Sequence, residues 1–154
     1  MRVLLSICVA LVAVCVVPSR ADDDAKKAEL KWARGVAGDF LSAMKKGDSK
    51  SAAALLTAEY SKSLAGNREK PSVAESLERV FGVSGIYFQS AAVSEEFIAP
   101  DKDEVQFKGS LVWASGTDSD TVTALTLRVV KETGRWRVGF VLVGDRTERP
   151  KAKK

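Results

Sequence analysis

The sequence of 154 residues contains no histidine and only two cysteines, Cys8 and Cys15. Without histidine there is no Ser-His-Asp or Cys-His catalytic set, no histidine general base and no ordinary histidine-containing zinc site. Both cysteines lie near the N-terminus, so the rest of the chain can form neither a disulfide nor a thiolate nucleophile. The folded domain must therefore be stabilised by packing alone.

Motifs that bind phosphate or metal ions are also missing. The segment Gly82-Val83-Ser84-Gly85 lacks the lysine and the strand-before-helix context of a phosphate-binding loop. Acidic residues cluster at 101–104 and 118–120, but neither cluster has the glycine and terminal glutamate of an EF-hand loop. Both clusters fall where hairpin turns are expected, and aspartate is a common turn residue. We expect no metal site and no cofactor.

The N-terminus has the pattern of a cleavable signal peptide. Arg2 precedes an uncharged apolar run over 3–17, and Ser19 and Ala21 occupy the −3 and −1 positions of a cut before Asp22. The run is shorter than the roughly 20 residues that a membrane-spanning helix needs. We therefore expect a secreted or periplasmic protein whose mature form has no transmembrane span.

Two other interpretations of the leader stay open, an uncleaved N-terminal anchor and a lipoprotein cut at Cys15. Under the signal-peptide interpretation the chain divides into a leader over 1–21, a single domain over 22–144 and a tail over 145–154.

The tail accounts for the net positive charge of residues 22–154. Residues 145–154 hold five basic and two acidic side chains, whereas residues 22–144 hold 17 basic and 18 acidic ones. The basic residues of the tail are Arg146, Arg149, Lys151, Lys153 and Lys154. We expect a disordered, solvated end, with an electrostatic tether to an anionic surface as the alternative. Because no aromatic residues are interleaved with these charges, no specific nucleic-acid binding is expected.

The first half of the domain has helical periodicity. The spacing predicts a long helix over 25–46 with an apolar stripe. The stripe consists of Ala33, Val36, Ala37, Phe40, Leu41 and Met44. Three shorter helices are predicted at about 49–56, 57–64 and 72–81. Ser72 and Glu75 have the spacing of a capping box at the start of the last one.

From Ile86 onward the apolar period changes from 3.6 to 2, which is typical of strands. Four strands are predicted at about 86–99, 104–115, 121–131 and 135–143. Because the connections are short and rich in turn residues, the strands should form an antiparallel meander. The predicted fold class is α+β, with a long N-terminal helix and short helices packed on a curved sheet of four or more strands.

Alternation assigns the two faces of this sheet. The face predicted to cover the helices carries Val105, Phe107, Leu111, Trp113, Leu125, Leu127, Val129, Trp136, Val138, Phe140 and Leu142. The face predicted to point outward carries Ala91, Val93, Val112, Ala114, Val141 and Val143. Small aliphatic residues on an outward face indicate a covered surface, and we expect a homodimer through it.

The segments Phe40 to Leu64 (FLSAMKKGDSKSAAALLTAEYSKSL) and Gly134 to Val143 (GRWRVGFVLV) resemble those of the nuclear transport factor 2-like superfamily, also described as the SnoaL-like or cystatin-like α+β roll. The resemblance implies a cone-shaped roll with a cavity at its open end and frequent dimers through the sheet. Its members include enzymes, ligand binders and protein-binding modules, so the fold alone does not fix the function.

The implied cavity gives two sets of candidate residues. Residues that could line it are Val36, Phe40, Phe81, Phe107, Trp113, Trp136 and Phe140, and the same residues could instead fill a core. Some enzymes of the superfamily use an aspartate with a tyrosine, for which Asp39, Tyr60 and Tyr87 are the candidates; the versions that need histidine cannot operate here.

Three hypotheses about function follow. The leading one is an exported non-catalytic domain that binds a small apolar ligand or a protein partner. The second is an isomerase or dehydratase that uses Asp39 with a tyrosine. The third is a surface-associated protein that is tethered by its basic tail.

Overall fold

The computed structural model describes residues 20–65, 72–83, 86–98, 103–115 and 118–151. Four helices come first: α1 (Arg20–Lys45), α2 (Ser49–Ala54), α3 (Ala58–Ala65) and α4 (Val73–Phe81). Six strands follow: β1 (Gly82–Val83), β2 (Ile86–Tyr87), β3 (Ser90–Ile98), β4 (Glu104–Ser115), β5 (Ser119–Glu132) and β6 (Arg135–Pro150). In the described part of the chain, no helix is long and apolar enough to cross a bilayer. Residues 1–19 of the predicted leader lie outside the described residues.

The predicted α+β class is confirmed. β3, β4, β5 and β6 form an antiparallel sheet in chain order, and β1 and β2 form a separate two-stranded ribbon. The single strand predicted over 86–99 is therefore two strands, β2 and β3. α1 ends at Lys45, close to the predicted 46, and Gly47 follows with a φ of 74°, a conformation that favours glycine. Ser72 caps α4 in a capping box with Glu75.

The core lies between the helices and one face of the sheet, which we call the inner face. α1 contributes Phe40 and Met44, α4 contributes Leu77 and Phe81, and the side chains of all four are buried. The buried residues of the strands alternate along β4 and β5. On the inner face they are Val105, Phe107, Leu111, Trp113, Thr123, Leu125, Leu127 and Val129, and Val122, on the other face, is also buried.

Register shifts change the face assignment on β6. Arg128 pairs with Phe140 and Val129 with Val138, so Gly139 is an extra residue in a β-bulge. A single added residue reverses the alternation beyond it. Val138 and Val141 are therefore buried in the core, whereas Phe140 and Leu142 point outward. The prediction that Phe140 and Leu142 face the helices, with Val141 and Val143 outward, is wrong for this reason.

The predicted outward positions on β3 are also wrong. Ala91 pairs with Leu111 and Val93 with Gly109, which places both on the inner face, near the edge of the sheet. Val112 is on the opposite face, as predicted, where it pairs with Val122. β3 and β4 each carry a register shift, between Val93 and Glu95 and between Val112 and Ala114. These shifts disturb strict alternation, which a pattern of period two cannot anticipate.

The basic segment after Gly144 is largely strand. β6 continues to Pro150, and its pairs with β5 extend to Ser119↔Pro150. The amide of Lys151 donates to the carbonyl of Asp118 over 2.8 Å. The prediction of a disordered end is therefore wrong for residues 145–150, because β5 begins early enough to pair with them. Residues 152–154, with Lys153 and Lys154, lie outside the described residues.

Candidate functional site

Four of the aromatic residues predicted to line a cavity instead fill the core. Phe40 and Phe81 meet edge to face at 5.7 Å between ring centroids. Phe88 continues the chain of rings to Trp113, 6.2 Å away. Phe107 is buried in the same cluster. Rings at these separations are in direct contact, so no ligand lies between them.

Trp113, at one end of this chain of rings, makes two polar contacts. The indole nitrogen of Trp113 donates to the hydroxyl of Thr123 over 2.9 Å, and both side chains are buried. The guanidinium of Arg146 lies 3.9 Å from the centroid of the Trp113 ring, a cation–π contact. Arg146, predicted to be part of a solvated tail, thus covers the core.

The candidate catalytic residues do not form a site in the described residues. The side chain of Asp39 is exposed on α1. The Tyr60 hydroxyl donates to the carbonyl of Val141 and accepts from its amide, both over 3.2 Å. Burial raises the pKa of Tyr60, although its hydrogen bond to Val141 acts in the opposite direction. Tyr87 packs against Gly47 near the end of α1. No hydrogen bond joins Asp39 to either tyrosine among the residues that the structure describes.

The face opposite the helices, which we call the outer face, exposes large apolar side chains. One row across the four strands consists of Phe97, Gln106, Arg128 and Phe140, and the next consists of Glu95, Lys108, Thr126 and Leu142. Phe97 is 61 % exposed, Leu142 55 % and Phe140 38 %. Arg128 lies 5.8 Å from the centroid of the Phe140 ring. Large apolar side chains thus lie on both edge strands, Phe97 on β3 and Phe140 and Leu142 on β6, and the cations Arg128 and Lys108 lie between them.

A cleft of about 490 Å³ lies where α3 meets this face. Phe140, Tyr60 and Arg128 line it, and Gly139 leaves its wall without a side chain. The rings of Tyr60 and Phe140 are 6.1 Å apart. Phe140, predicted as a cavity residue, therefore lines a surface cleft on the outer side of the sheet.

Val36 and Trp136, the remaining cavity candidates, line a different cleft of about 340 Å³ between α1 and the β5–β6 turn. Trp32 also lines it and is 69 % exposed. Two further exposed residues, Trp32 and Phe97, were not named from the sequence, and Leu142 was predicted to be buried. The signal that could have identified Trp32 is a tryptophan outside the apolar stripe of α1. The exposure of Phe97 and Leu142 depends on strand register.

No protein-family model matches the sequence, and no curated protein matches it. Solved structures do match. One is a nuclear transport factor 2-like protein of unknown function from Shewanella oneidensis MR-1, with a TM-score of 0.52 and 13 % identity over 77 % of this chain and 98 % of that one. The chain has the nuclear transport factor 2-like fold. A second, with a cystatin-like fold, from Nostoc punctiforme PCC 73102, has 17 % identity over 81 % of this chain and 91 % of that one, with a TM-score of 0.48.

α1 packs against the inner face of the sheet, as the predicted α+β arrangement requires. At 13 % identity the likeness to the Shewanella protein shows the fold alone. It is compatible with a ligand-binding domain, and the function has to be argued from the surfaces described above.

Proposed function

We propose that this protein is an exported, non-catalytic binding domain that associates with a second copy of itself through the outer face. The observation that carries the proposal is the exposure of Phe97, Phe140 and Leu142 on adjacent rows of one sheet face. Exposed apolar residues that cluster on one surface are typical of interaction sites. The candidate cavity residues offer less surface for binding, because most of them are buried against one another.

The shape of the outer face suits a twofold dimer. β3 and β6 are the two edges of the sheet, with Phe97 on one and Leu142 on the other. A twofold axis parallel to the strands would place Phe97 of each copy against Phe140 and Leu142 of its partner. Such an interface uses the same patch twice, as closed dimers do.

Charge at the centre of the outer face is partly balanced within each copy. The guanidinium of Arg128 lies 3.9 Å from the carboxylate of Glu104. A cation that is paired and stacked on Phe140 is less costly to bury in an interface than a free one. Lys108, exposed on the central strand β4, is the cation that remains to be paired within the dimer.

The test is the mass of the purified protein in solution, by native mass spectrometry and light scattering. We expect a dimer for the unchanged chain and a monomer for Leu142→Glu. Val80→Glu is the matched control, because Val80 is an apolar residue, 39 % exposed, on α4 and away from the sheet. A monomeric unchanged chain, or a Leu142→Glu protein that stays dimeric, would contradict the proposal.

Export is tested separately by cell fractionation and by the N-terminal sequence of the recovered protein. We expect the exported form to begin at Asp22. Deletion of 1–21 should leave the protein in the cytoplasm. An exported protein that retains Met1, or one that begins at Cys15, would support the anchor or the lipoprotein instead.

A further inference from the structure

A second surface feature is independent of the proposed dimer face. The cleft between α1 and the β5–β6 turn is lined by Trp32, Val36 and Trp136, together with Glu29, Lys131 and Arg135. Its volume, about 340 Å³, lies at the lower end of the range for small-molecule sites. Two tryptophans in one open cleft offer indole surface that a flat molecule can contact.

Trp136 is held in place by its neighbours. Its indole nitrogen donates to Glu29 over 2.7 Å, and the ammonium of Lys131 donates to the other oxygen of the same carboxylate, also over 2.7 Å. These hydrogen bonds join α1 to β5 and β6 and fix the plane of the Trp136 ring. A ring that is already fixed loses little freedom when a ligand contacts it.

The charges around the cleft favour an anion. Lys131 neutralises the charge of the Glu29 carboxylate. The hydrogen bonds from Lys131 and Trp136 lower the pKa of Glu29, so the carboxylate stays ionised. The Arg135 guanidinium makes no hydrogen bond or ion pair with any part of the chain that the structure describes. Its positive charge is therefore not balanced by these residues. Lys131 already lies 5.8 Å from the centroid of the Trp136 ring, so a cationic ligand would be repelled there.

We propose that this cleft binds a small organic acid, a flat ring that bears one carboxylate, with the ring against Trp32 and Trp136 and the carboxylate on Arg135. Arginine suits this role because its planar group donates two parallel hydrogen bonds to a carboxylate. The Trp32 side chain is 69 % exposed. A ligand ring stacked on it would cover this surface, which gives a reason for the exposure.

The test follows the indole N–H signals of the three tryptophans by NMR during titration with 2-naphthoate. We expect the signals of Trp32 and Trp136 to move with saturation while that of the buried Trp113 does not. The neutral analogue 2-naphthalenemethanol should bind about tenfold more weakly, as the loss of a charged hydrogen bond predicts.

Two variants assign the contacts. Trp32→Ala and Arg135→Gln should each raise the Kd for 2-naphthoate about tenfold. Arg149→Gln is the matched control and should bind normally. Trp32 and Arg135 are both exposed, and an unmoved Trp113 signal in the free variants verifies that they fold.

Other outcomes would overturn the proposal. These are no saturable shift, equal affinity for the acid and the alcohol, movement of the Trp113 signal, or unchanged binding by Trp32→Ala. The monomeric variant Leu142→Glu should bind 2-naphthoate as the unchanged chain does, so failure of the dimer and failure of this site can be told apart.

Discussion

The two faces of the sheet differ in what their aromatic residues contact. On the inner face Phe107 and Trp113 are buried in the core, whereas on the outer face Phe97 and Phe140 are exposed. The same residue type serves packing on one side and is available for association on the other. In this chain the surfaces that could recognise another molecule lie outside the core, which is filled by its own side chains.

The largest expected difference between the faces is in stability. Phe107→Ala should lower the free energy of unfolding by about 3–5 kcal/mol, because it removes a buried ring and leaves a cavity. Phe97→Ala should change it by less than about 0.5 kcal/mol. Both variants are made in the monomeric Leu142→Glu background, so that loss of the dimer does not add to the loss of packing, and urea unfolding measures both. Similar losses for the two variants would mean that the outer face is also a packed surface.

A second comparison uses glycines. A Cβ at Gly109 would lie 2.0 Å from the carbonyl oxygen of Ala92, whereas a Cβ at Gly35 would meet nothing within 4 Å. Gly109→Ala should cost about 1–3 kcal/mol, because β3 must move away from β4.

Gly35→Ala should act in the opposite direction and stabilise α1 by up to about 1 kcal/mol, since alanine favours a helix over glycine. Gly109→Ala and Gly35→Ala add the same methyl group. Unfolding curves with equal midpoints would therefore contradict the close contact between β3 and β4 at Gly109.

A third comparison concerns two arginines of the β6 extension. Arg146 covers Trp113 on the inner side, whereas Arg149 pairs in register with Asp120. Arg146→Ala should cost about 1 kcal/mol and shift the Trp113 fluorescence to longer wavelength as water reaches the ring. Arg149→Ala should stay within about 0.5 kcal/mol. Equal, negligible effects would support a solvated tail after all.

The smallest expected effect is a dependence on pH. Lys131 and Trp136 lower the pKa of Glu29 in the folded protein, so the ionised form stabilises the fold. This stabilisation is present above the unfolded pKa, about 4.3, and is lost as the pH falls through the lower folded value.

The melting temperature of Glu29→Gln should therefore differ most from that of the unchanged chain near neutral pH and converge with it in acid. The effect is small because the Glu29 side chain is 37 % exposed, which weakens the ion pair. A difference that does not change with pH would show that Glu29 acts without its charge.

Much of the fold could be predicted from periodicity. The stripe from Ala33 to Met44 is buried as expected except for Val36, which is half-buried, and the capping box at Ser72 is present. The alternation over Val105, Phe107, Leu125 and Leu127 identified the inner face correctly. These predictions hold because local spacing and burial agree over regular elements.

The outer face could not be predicted, because it depends on where the strands change register. Gly139 adds one residue to β6, and the identities of Phe140 and Val141 give no sign of which one is buried. The length of β6 was missed for a different reason. Charged residues such as Arg146 led to the prediction of a solvated segment. Residues 119–123 of β5 nevertheless pair with this segment and supply its backbone hydrogen bonds.

The short parallel contact between Leu56 and Val138 matters for how the protein misfolds. Thr57 and Leu55 bond to both sides of Val138, and Tyr60 covers Val141, so this part of the β6 edge is occupied. Detachment of α3 would uncover a run of backbone groups beside the apolar Phe140 and Leu142. Unfolding that begins at α3 would thereby convert the folded domain into a template for edge-to-edge aggregation.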